Sequence, residues 1–229
     1  MNETLEQRVK NLLASLPADV RLVAAAKTRR PEEVGAAIRA GVTAIGENYV
    51  QEAEAMRRGL AERDEWVSDD VRWHLIGHLQ RNKAKKAVAL FDMIETIDSV
   101  AVAEAVDRHC GATGKTMPVL LEVNSGRESN KTGIPPEDVE SVMSQVAALS
   151  HIRIQGLMTM GPRFGDPEKA RPYFRLTKEL FDRFSGIGPQ NTEMRYLSMG
   201  MSNSYEIAIE EGANIVRVGT KLFGARKGN

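Results

Sequence analysis

Lys27 is the side chain of this sequence whose position most strongly suggests covalent chemistry. It ends the apolar run Leu22–Lys27 and directly follows three alanines. If that run is a strand, the amine at its end is partly removed from water, which disfavours the charged ammonium and favours the neutral amine that attacks an aldehyde. The small alanines also leave room for a ring. Strand-end lysines extend into solvent in many proteins, so Lys27 alone does not establish a site.

Two loops near the C-terminus have the composition of an anion site. The segment Ser198–Ser204 has the sequence SMGMSNS, and the segment Arg217–Gly224 has the sequence RVGTKLFG. Glycine lets backbone N–H groups approach an anion closely, and the hydroxyls of Ser202 and Thr220 add further donors. Each loop precedes a helical stretch, so ordinary helix capping is the alternative interpretation.

Arg217 stands two residues before Gly219 and is a further candidate. A guanidinium only donates hydrogen bonds, so an arginine that faces a pyridine nitrogen keeps that nitrogen unprotonated. Such a ring is a poorer electron sink than one that is paired with an aspartate. An ion pair between Arg217 and a carboxylate is the alternative.

Other reactive side chains occur in weaker contexts. His74 and His78 have the i, i+4 spacing of zinc-binding histidines on a helix, but their segment, WHLIGH, predicts a strand and contains no glutamate. Cys110 lies at the end of a predicted helix and lacks the surroundings of a nucleophile. No Walker A loop or GxGxxG motif follows a predicted strand. We therefore predict no metal site, no catalytic thiol and no nucleotide site.

The elements that must position these residues alternate along the chain. Short β-rich apolar runs are each followed by a turn and a helical pattern, as in Pro31–Ala40 and Pro136–Leu149. The predicted strands are Arg21–Lys27, Thr43–Glu47, Arg72–Gly77, Met93–Asp98, Pro118–Asn124, Arg153–Thr159, Glu193–Met199 and Ile215–Gly219. This alternation is typical of parallel strands with helical crossovers. Eight units in 229 residues favour an α/β fold of the (β/α)8 TIM barrel type, with an open doubly wound sheet as the alternative.

A barrel would gather the candidate residues at one end. The active groups of such barrels lie at the carboxyl ends of the strands, and the loops after strands seven and eight commonly bind phosphate. Lys27 ends the first predicted strand and Asn48 follows the second, while the two glycine-containing loops lie at the ends of the seventh and the eighth. This placement favours anion binding over capping. We expect residues 1–229 to form one domain, with an extra amphipathic N-terminal helix packed outside the barrel.

The bulk composition excludes several classes of protein. Lys and Arg together number 31, as do Asp and Glu, so no excess of charge favours nucleic acid or acidic membranes. The N-terminal segment is charged throughout and lacks the apolar run of a signal peptide, and no segment approaches the roughly 18 apolar residues of a membrane span. The single cysteine fits a reducing compartment. We expect a cytoplasmic protein without nucleic-acid or membrane partners.

Over nearly its whole length the sequence resembles the pyridoxal phosphate homeostasis proteins, the YggS/PROSC-like group. The matching segments occur in the order found in that family and include VAAAKT, IGENYVQE, WHLIGHLQRNK, EVN with the later SNKTG, GLMTM, LSMGMSNSYEIAI and VRVGTKLFGAR. The resemblance implies a barrel like the N-terminal domain of alanine racemase, which is the fold type III of enzymes that use pyridoxal 5′-phosphate (PLP). It also implies PLP as the cofactor, held as a Schiff base on Lys27.

The same resemblance assigns roles to individual residues. The cofactor-binding residues that it implies are Lys27, Asn48, Ser198, Met199, Ser202, Arg217, Gly219 and Thr220. By motif position, Arg217 approaches the pyridine nitrogen, and Ser202, Gly219 and Thr220 bind the phosphate. Asn48 lies near the cofactor, and the serine and methionine at the end of the seventh strand line the same wall.

Three functions remain open at this point. The leading hypothesis is a carrier and regulator that sequesters PLP and delivers it to PLP-dependent apo-enzymes, without turnover of its own and as a monomer. The rival is a PLP-dependent amino-acid racemase or a related enzyme with an open site, and the third is a cofactor-free barrel enzyme that acts on a phosphorylated metabolite. Racemases of this fold add a β-rich domain and use two acid/base groups. The sequence ends at Asn229 and offers no evident second acid/base, because Tyr49, the nearest by loop position, is expected to pack.

Overall fold

The structure is a computed structural model that describes residues 3–63, 70–128, 131–161, 165–186 and 189–225. Within these residues, eight parallel strands pair in chain order, and the last pairs with the first to close a barrel. The strands are β1 (Arg21–Ala25), β2 (Ala44–Glu47), β3 (Arg72–Leu75), β4 (Met93–Ile97), β5 (Met117–Glu122), β6 (Ile152–Met158), β7 (Thr192–Ser198) and β8 (Ile215–Val218). The predicted (β/α)8 barrel is confirmed, and the open sheet is wrong.

Helices surround the barrel and connect its strands. They are α1 (Leu5–Ser15), α2 (Pro31–Arg39), α3 (Val50–Ala61), α4 (Ala84–Leu90), α5 (Val100–Gly111), α6 (Val139–Ala147), α7 (Arg171–Phe184), α8 (Tyr205–Glu210) and α9 (Thr220–Phe223). Short 3-10 turns precede three of them, at Arg81–Lys83, Pro136–Asp138 and Pro167–Ala170. None of the helices in the described ranges has the length and apolar character needed to span a membrane.

Helix α1 lies outside the barrel, as predicted. It packs against α2 and α9 through a face that includes the buried residues Val9 and Leu12. The hydroxyl of Thr4 caps its first turn by accepting a backbone N–H. The side chain of Arg8 donates to the carbonyl of Leu222 at 2.8 Å, so the added helix is also bonded to the segment that follows β8.

Alternating side chains of the strands build two cores. The inner cluster fills the barrel and consists of Val23, Ala44, Ile76, Met93, Leu120, Met158, Tyr196 and Ile215. The residues between these positions, such as Val216, pack against the helices. Because strand side chains alternate with a period of two, an inward residue predicts another inward residue two positions later. This rule leads from Ile215 to Arg217 and from Tyr196 to Ser198.

The first predicted strand extends two residues beyond the carboxyl end of the observed β1. This strand ends at Ala25 rather than at Lys27, because the next residues form a turn in which the amide of Arg29 bonds to the carbonyl of Ala26 at 2.8 Å. Thr28 has a φ of 63° in this turn. Lys27 therefore lies on the loop just beyond the strand, at the mouth of the barrel.

Candidate functional site

A cavity of about 750 Å³ opens at the carboxyl ends of the strands. Six of the eight predicted cofactor residues line it, namely Lys27, Asn48, Ser202, Arg217, Gly219 and Thr220. Its wall also includes the apolar side chains of Ile76, Met160 and Met201 and the cationic side chains of Arg29 and Lys221. The loops after β1, β2, β7 and β8 thus meet around one space, as the barrel hypothesis requires.

Lys27 lies half-buried in the wall of this cavity. Its ammonium nitrogen is 5.1 Å from the centroid of the Tyr49 ring, which is within the range of a cation–π contact. Within the described part of the chain, no carboxylate forms an ion pair with Lys27. The amine is therefore available for reaction without first breaking a salt bridge. The expectation that Tyr49 packs is wrong, since this side chain is 51% exposed and contacts Lys27 instead.

The turns after β7 and β8 are joined at Ser202. Its Oγ accepts hydrogen bonds from the backbone amides of Gly219 at 3.1 Å and Lys221 at 3.4 Å. Because the lone pairs of this oxygen are engaged, the hydroxyl proton is left to donate into the cavity. Thr220 supplies a second hydroxyl at the same wall. Gly200 makes the first turn possible, because its φ is 87° and a Cβ there would collide with α8.

Lys221, at the start of α9, forms a second link between the segment after β8 and the segment after β7, because its side chain bonds to helix α8. Its ammonium donates to the hydroxyl of Tyr205 at 2.6 Å and to Oε1 of Glu206 at 3.1 Å, and it lies 4.4 Å from the centre of the Tyr205 ring. The hydroxyl of Tyr205 donates to the same Glu206 oxygen at 2.6 Å. The hydrogen bond with Tyr205 is the main reason that the pKa of Lys221 is raised, so the lysine stays cationic beside the two hydroxyl-bearing turns.

Arg217 lies at the floor of the cavity and is only 3% exposed. Its Nη1 donates to Oγ of Ser198 at 2.5 Å, and its Nη2 donates to the carbonyl of Thr159 at 2.8 Å. Oε2 of Glu95 lies 3.9 Å from Nη1 and supplies an opposite charge. Burial lowers the pKa of Arg217, and the carboxylates of Glu95 and Glu122 oppose this effect. The position of Arg217 is compatible with both predicted roles, contact with a ring nitrogen and an ion pair with a carboxylate, because the side chain lines the cavity and also lies near Glu95.

Two residues below the cavity were not identified from the sequence as site residues. The carboxyl of Glu95 is fully buried, and its two oxygens bond to Nδ1 of His74 and to the hydroxyl of Ser198, each at 2.6 Å. Burial opposes the ionisation of Glu95, but the hydrogen bond and charge of His74 and the charge of Arg217 outweigh it, so the pKa of Glu95 is lowered. The alternation of side chains along β4 could have identified Glu95, because Glu95 lies two residues after the inward-facing Met93 and is therefore expected to face inward as well.

Two of the predicted residues do not line the cavity. Ser198 is fully buried beneath Arg217, to which it is bonded. Met199 faces away from the barrel and packs in the outer hydrophobic core, while its amide bonds to the carbonyl of Ile215 at 3.1 Å. The alternation of β7 explains this difference, because an inward Ser198 makes the next residue point outward. The structure thus gives no support to Met199 as a wall residue.

Comparisons with known proteins agree with this geometry. Residues 2–227 match the family model described as alanine racemase, N-terminal domain. Over 208 residues the chain is 38% identical to the pyridoxal phosphate homeostasis protein of Aquifex aeolicus, covering 90% of this chain and 87% of the relative. The protein of the same name from Escherichia coli is 33% identical over 210 residues, covering 92% and 87%. This chain belongs to the pyridoxal phosphate homeostasis protein family.

Solved structures support the same assignment. PipY of Synechococcus elongatus, described with PLP bound, matches with a TM-score of 0.87 and 34% identity over 96% of this chain and all of that one. The PLP-free form of PipY matches with a TM-score of 0.89 and 35% identity, with the same coverage. Alanine racemase from Clostridium difficile matches with a TM-score of 0.76, but it is 15% identical and only 60% of its chain is covered. That last likeness concerns the barrel fold alone.

A second cavity, of about 480 Å³, adjoins the first and shares Met160 and Met201 with it. Its wall contains Glu122, whose Oε1 accepts from the hydroxyl of Thr132 at 3.3 Å and whose Oε2 is buried without a hydrogen-bond partner in the portion of the chain that the structure describes. Burial and the charge of Asp98 raise the pKa of Glu122 to about 7. The structure therefore places a carboxyl suited to proton transfer at neutral pH next to the main cavity, which the sequence did not indicate.

The two histidines and the cysteine lie in separate environments. His74 is bonded to Glu95 inside the barrel, whereas Nδ1 of His78 lies 2.9 Å from a carboxylate oxygen of Asp98 near the surface. Cys110 is buried in α5. In the ranges that the structure describes, no group of three or more His, Cys, Asp or Glu side chains is arranged to hold a metal ion.

Proposed function

We propose that this protein binds PLP covalently through the amine of Lys27 and acts in PLP homeostasis as a carrier of the cofactor. One observation carries the proposal. A single cavity joins an amine that has no carboxylate partner among the described residues, two hydroxyl-bearing glycine turns and a buried arginine. These groups match the aldehyde, the phosphate and the ring nitrogen of PLP, respectively. The relatives named as pyridoxal phosphate homeostasis proteins and the PLP-bound structure of PipY support the same reading.

The fit of the aldehyde end depends on Lys27. Bound PLP supplies an aldehyde that condenses with a primary amine and a ring that withdraws electrons from the bonded carbon. Lys27 lies at the cavity wall, and its only close aromatic neighbour on the described chain is Tyr49, whose ring holds the ammonium by a cation–π contact. A cation–π contact at a partly exposed position contributes only about 0.5–1 kcal/mol, so the lysine leaves it at little cost.

The fit of the phosphate end depends on the turns after β7 and β8. Ser202 and Thr220 present hydroxyl donors, and the close approach of Gly219 to the β1 backbone holds its turn near the barrel mouth. Lys221, tied to Tyr205, adds a positive charge beside them. Phosphate is bound in barrels at this pair of loops, so both the chemistry and the position agree.

Arg217 decides which kind of chemistry the site favours. Its guanidinium donates and does not accept, so a ring nitrogen that faces it stays unprotonated. The electron-withdrawing power of the ring is then reduced, which disfavours the carbanion chemistry of racemases and decarboxylases. We therefore propose a carrier that does not turn over substrates, with PLP-dependent apo-enzymes as its partners. We further propose that residues 1–229 form one domain and that the protein is a cytoplasmic monomer.

A racemase or related enzyme is the second candidate, and one observation favours it. Glu122, in the adjoining cavity, provides the second acid/base that the sequence did not reveal, and its pKa of about 7 suits that task. The carrier reading predicts that Glu122 does not act on a bound amino acid.

Transfer of the cofactor separates these two functions. The PLP-loaded protein is mixed with a PLP-free enzyme, and the activity of that enzyme is followed with time, with free PLP at the same concentration as the reference. A carrier restores activity faster than its PLP escapes into buffer, and it racemises a panel of D- and L-amino acids at negligible rates. Efficient turnover of one amino acid that depends on Lys27, with no reactivation of any apo-enzyme, would contradict the proposal.

A further inference from the structure

We propose that His74, Glu95 and Ser198 form a positioning chain that fixes the orientation of Arg217 toward a ring nitrogen in the cavity. The inference rests on the proposed function, because it concerns the contact of Arg217 with bound PLP. It goes beyond that function by naming three residues that do not touch the ligand and act only through the arginine.

The guanidinium of Arg217 is fixed by contacts at two of its nitrogens. Nη1 donates to Ser198 and Nη2 donates to the carbonyl of Thr159, while the sulfur of Met160 lies 3.7 Å from Nη2. A guanidinium is planar and its N–H groups have a rigid geometry, so two contacts on different nitrogens define the plane of the whole group. The N–H bonds that remain are directed by the protein and not by the ligand.

Ser198 orients the arginine only if its own hydroxyl is oriented. The hydroxyl proton is directed to Oε2 of Glu95 at 2.6 Å, and this leaves a lone pair for Nη1 of Arg217. Oε1 of Glu95 is in turn held by Nδ1 of His74 at 2.6 Å. Both oxygens of the carboxylate are therefore engaged, and the chain from His74 to Arg217 contains no free rotor.

The opposite charges of Arg217 and Glu95 give a second reason to assign Glu95 a role in holding the arginine. Arg217 and Glu95 are both removed from water, and the carboxylate lies 3.9 Å from the guanidinium. A buried cation without an opposite charge is costly, so Glu95 allows Arg217 to remain charged at the cavity floor. Glu122 also contributes negative charge near Arg217, but it has no hydrogen bond with it in the described structure. Glu95 is thus the carboxylate that both balances the charge of Arg217 and orients it through the hydrogen bond to Ser198.

The test compares PLP with its carbocyclic analogue, in which CH replaces the ring nitrogen while the aldehyde and phosphate are kept. We measure equilibrium binding of both ligands to the wild-type protein, to Ser198→Ala and to Glu95→Gln. The matched control is Thr177→Val, which removes a buried hydroxyl that donates to the carbonyl of Tyr173 in its own helix α7 and has no other partner among the described residues. Ser198→Ala should weaken PLP about tenfold and change the analogue by less than about threefold, because only PLP has the acceptor that Arg217 addresses.

Glu95→Gln should show the same selective loss, with PLP affinity reduced about tenfold and the affinity for the analogue changed by less than about threefold. If this variant does not fold, Ser198→Ala decides the question, since it leaves both buried charges in place. Parallel losses for PLP and the analogue, or no loss of PLP affinity in Ser198→Ala, would overturn the proposal, because a merely structural role does not distinguish the two ligands. Thr177→Val should bind both ligands as the wild type does.

A measurement without cofactor separates this inference from the proposed function. Urea unfolding of the cofactor-free single and double variants at Ser198 and Glu95 should give non-additive changes in unfolding free energy, because the two side chains share one chain of hydrogen bonds. Additive changes would overturn the positioning chain whether or not PLP binds. The proposed function fails on a different observation, namely a wild-type protein in which PLP does not attach to Lys27.

Discussion

Replacement of Thr220 by valine tests the phosphate site most sharply, because it removes one hydroxyl and keeps the shape of the side chain. A hydrogen bond from a hydroxyl to an anionic phosphate contributes about 1.5–3 kcal/mol. Thr220 is exposed at the cavity wall, so water competes and the lower half of that range applies. We therefore expect PLP affinity to fall by roughly 10–30-fold, which corresponds to about 1.5–2 kcal/mol.

The assay is the absorbance change on titration with PLP and, separately, with pyridoxal, which has no phosphate. Pyridoxal affinity should be unchanged in Thr220→Val. Ser202→Ala should lose more affinity for PLP than Thr220→Val does, because Ser202 also holds the amides of Gly219 and Lys221. The control is Thr113→Val, whose hydroxyl bonds, within the described ranges, only to the carbonyls of His109 and Cys110 at the end of α5. Equal losses for PLP and pyridoxal would refute the reasoning and leave these hydroxyls as helix caps.

Three further predictions concern groups around the site. Burial, with the charge of Glu52 second, raises the pKa of Glu47 from 4.5 to about 8, so this group should contribute roughly 4–5 kcal/mol of unfolding free energy below pH 4.5 that is lost as the pH rises to 8; urea unfolding of Glu47→Gln should lose less stability over that interval than the wild type does, with the part due to Glu122 retained, and an unchanged loss would contradict the assignment. Lys221→Met should lower PLP affinity about three- to tenfold and reduce its dependence on salt, with pyridoxal unaffected, in titrations at low and high KCl; an unchanged salt dependence would exclude a charge effect. Glu122→Gln should change the rate of cofactor transfer to an apo-enzyme by less than about tenfold, well below the roughly 100- to 10,000-fold loss expected when a general acid/base is removed; a loss of amino-acid turnover of that larger size in this variant would instead support the racemase reading.

The fold could be predicted from the sequence because its signal is repeated eight times. Each β-rich run is followed by a helical pattern, and no single uncertain boundary changes the alternation. The errors lie at strand ends such as Ala25, where the apolar run continues through Ala26 but the chain already turns. Hydrophobicity follows burial and not the strand boundary: Ala26 is fully buried and its amide still bonds to the carbonyl of Gly46 in β2 at 2.9 Å, but its own carbonyl already accepts from Arg29 in the turn.

The site could be predicted only in part, because sequence order does not show which side chains meet across the barrel. The motifs placed Lys27 and the two glycine turns at one cavity, but Ser198 and Glu95 are 103 positions apart and meet only when the barrel closes. The spacing of His74 suggests only a metal ligand, whereas its partner in the structure is a buried carboxylate on the neighbouring strand. Strict use of the period-two rule would have excluded Met199 and included Glu95.

The most direct test of the central claim is the position of the covalent link. The purified protein is incubated with PLP, reduced with borohydride, digested and analysed by mass spectrometry, with Lys27→Ala as the variant and Lys83→Ala, in the half-buried end of the 3-10 turn Arg81–Lys83, as the matched control. We predict an absorbance in the visible range before reduction, one pyridoxyl group on Lys27 after it, no label at that site in Lys27→Ala and full label in Lys83→Ala. A pyridoxyl group found only on Lys83, Lys131 or another lysine, with Lys27 unmodified in the wild-type protein, would contradict the account.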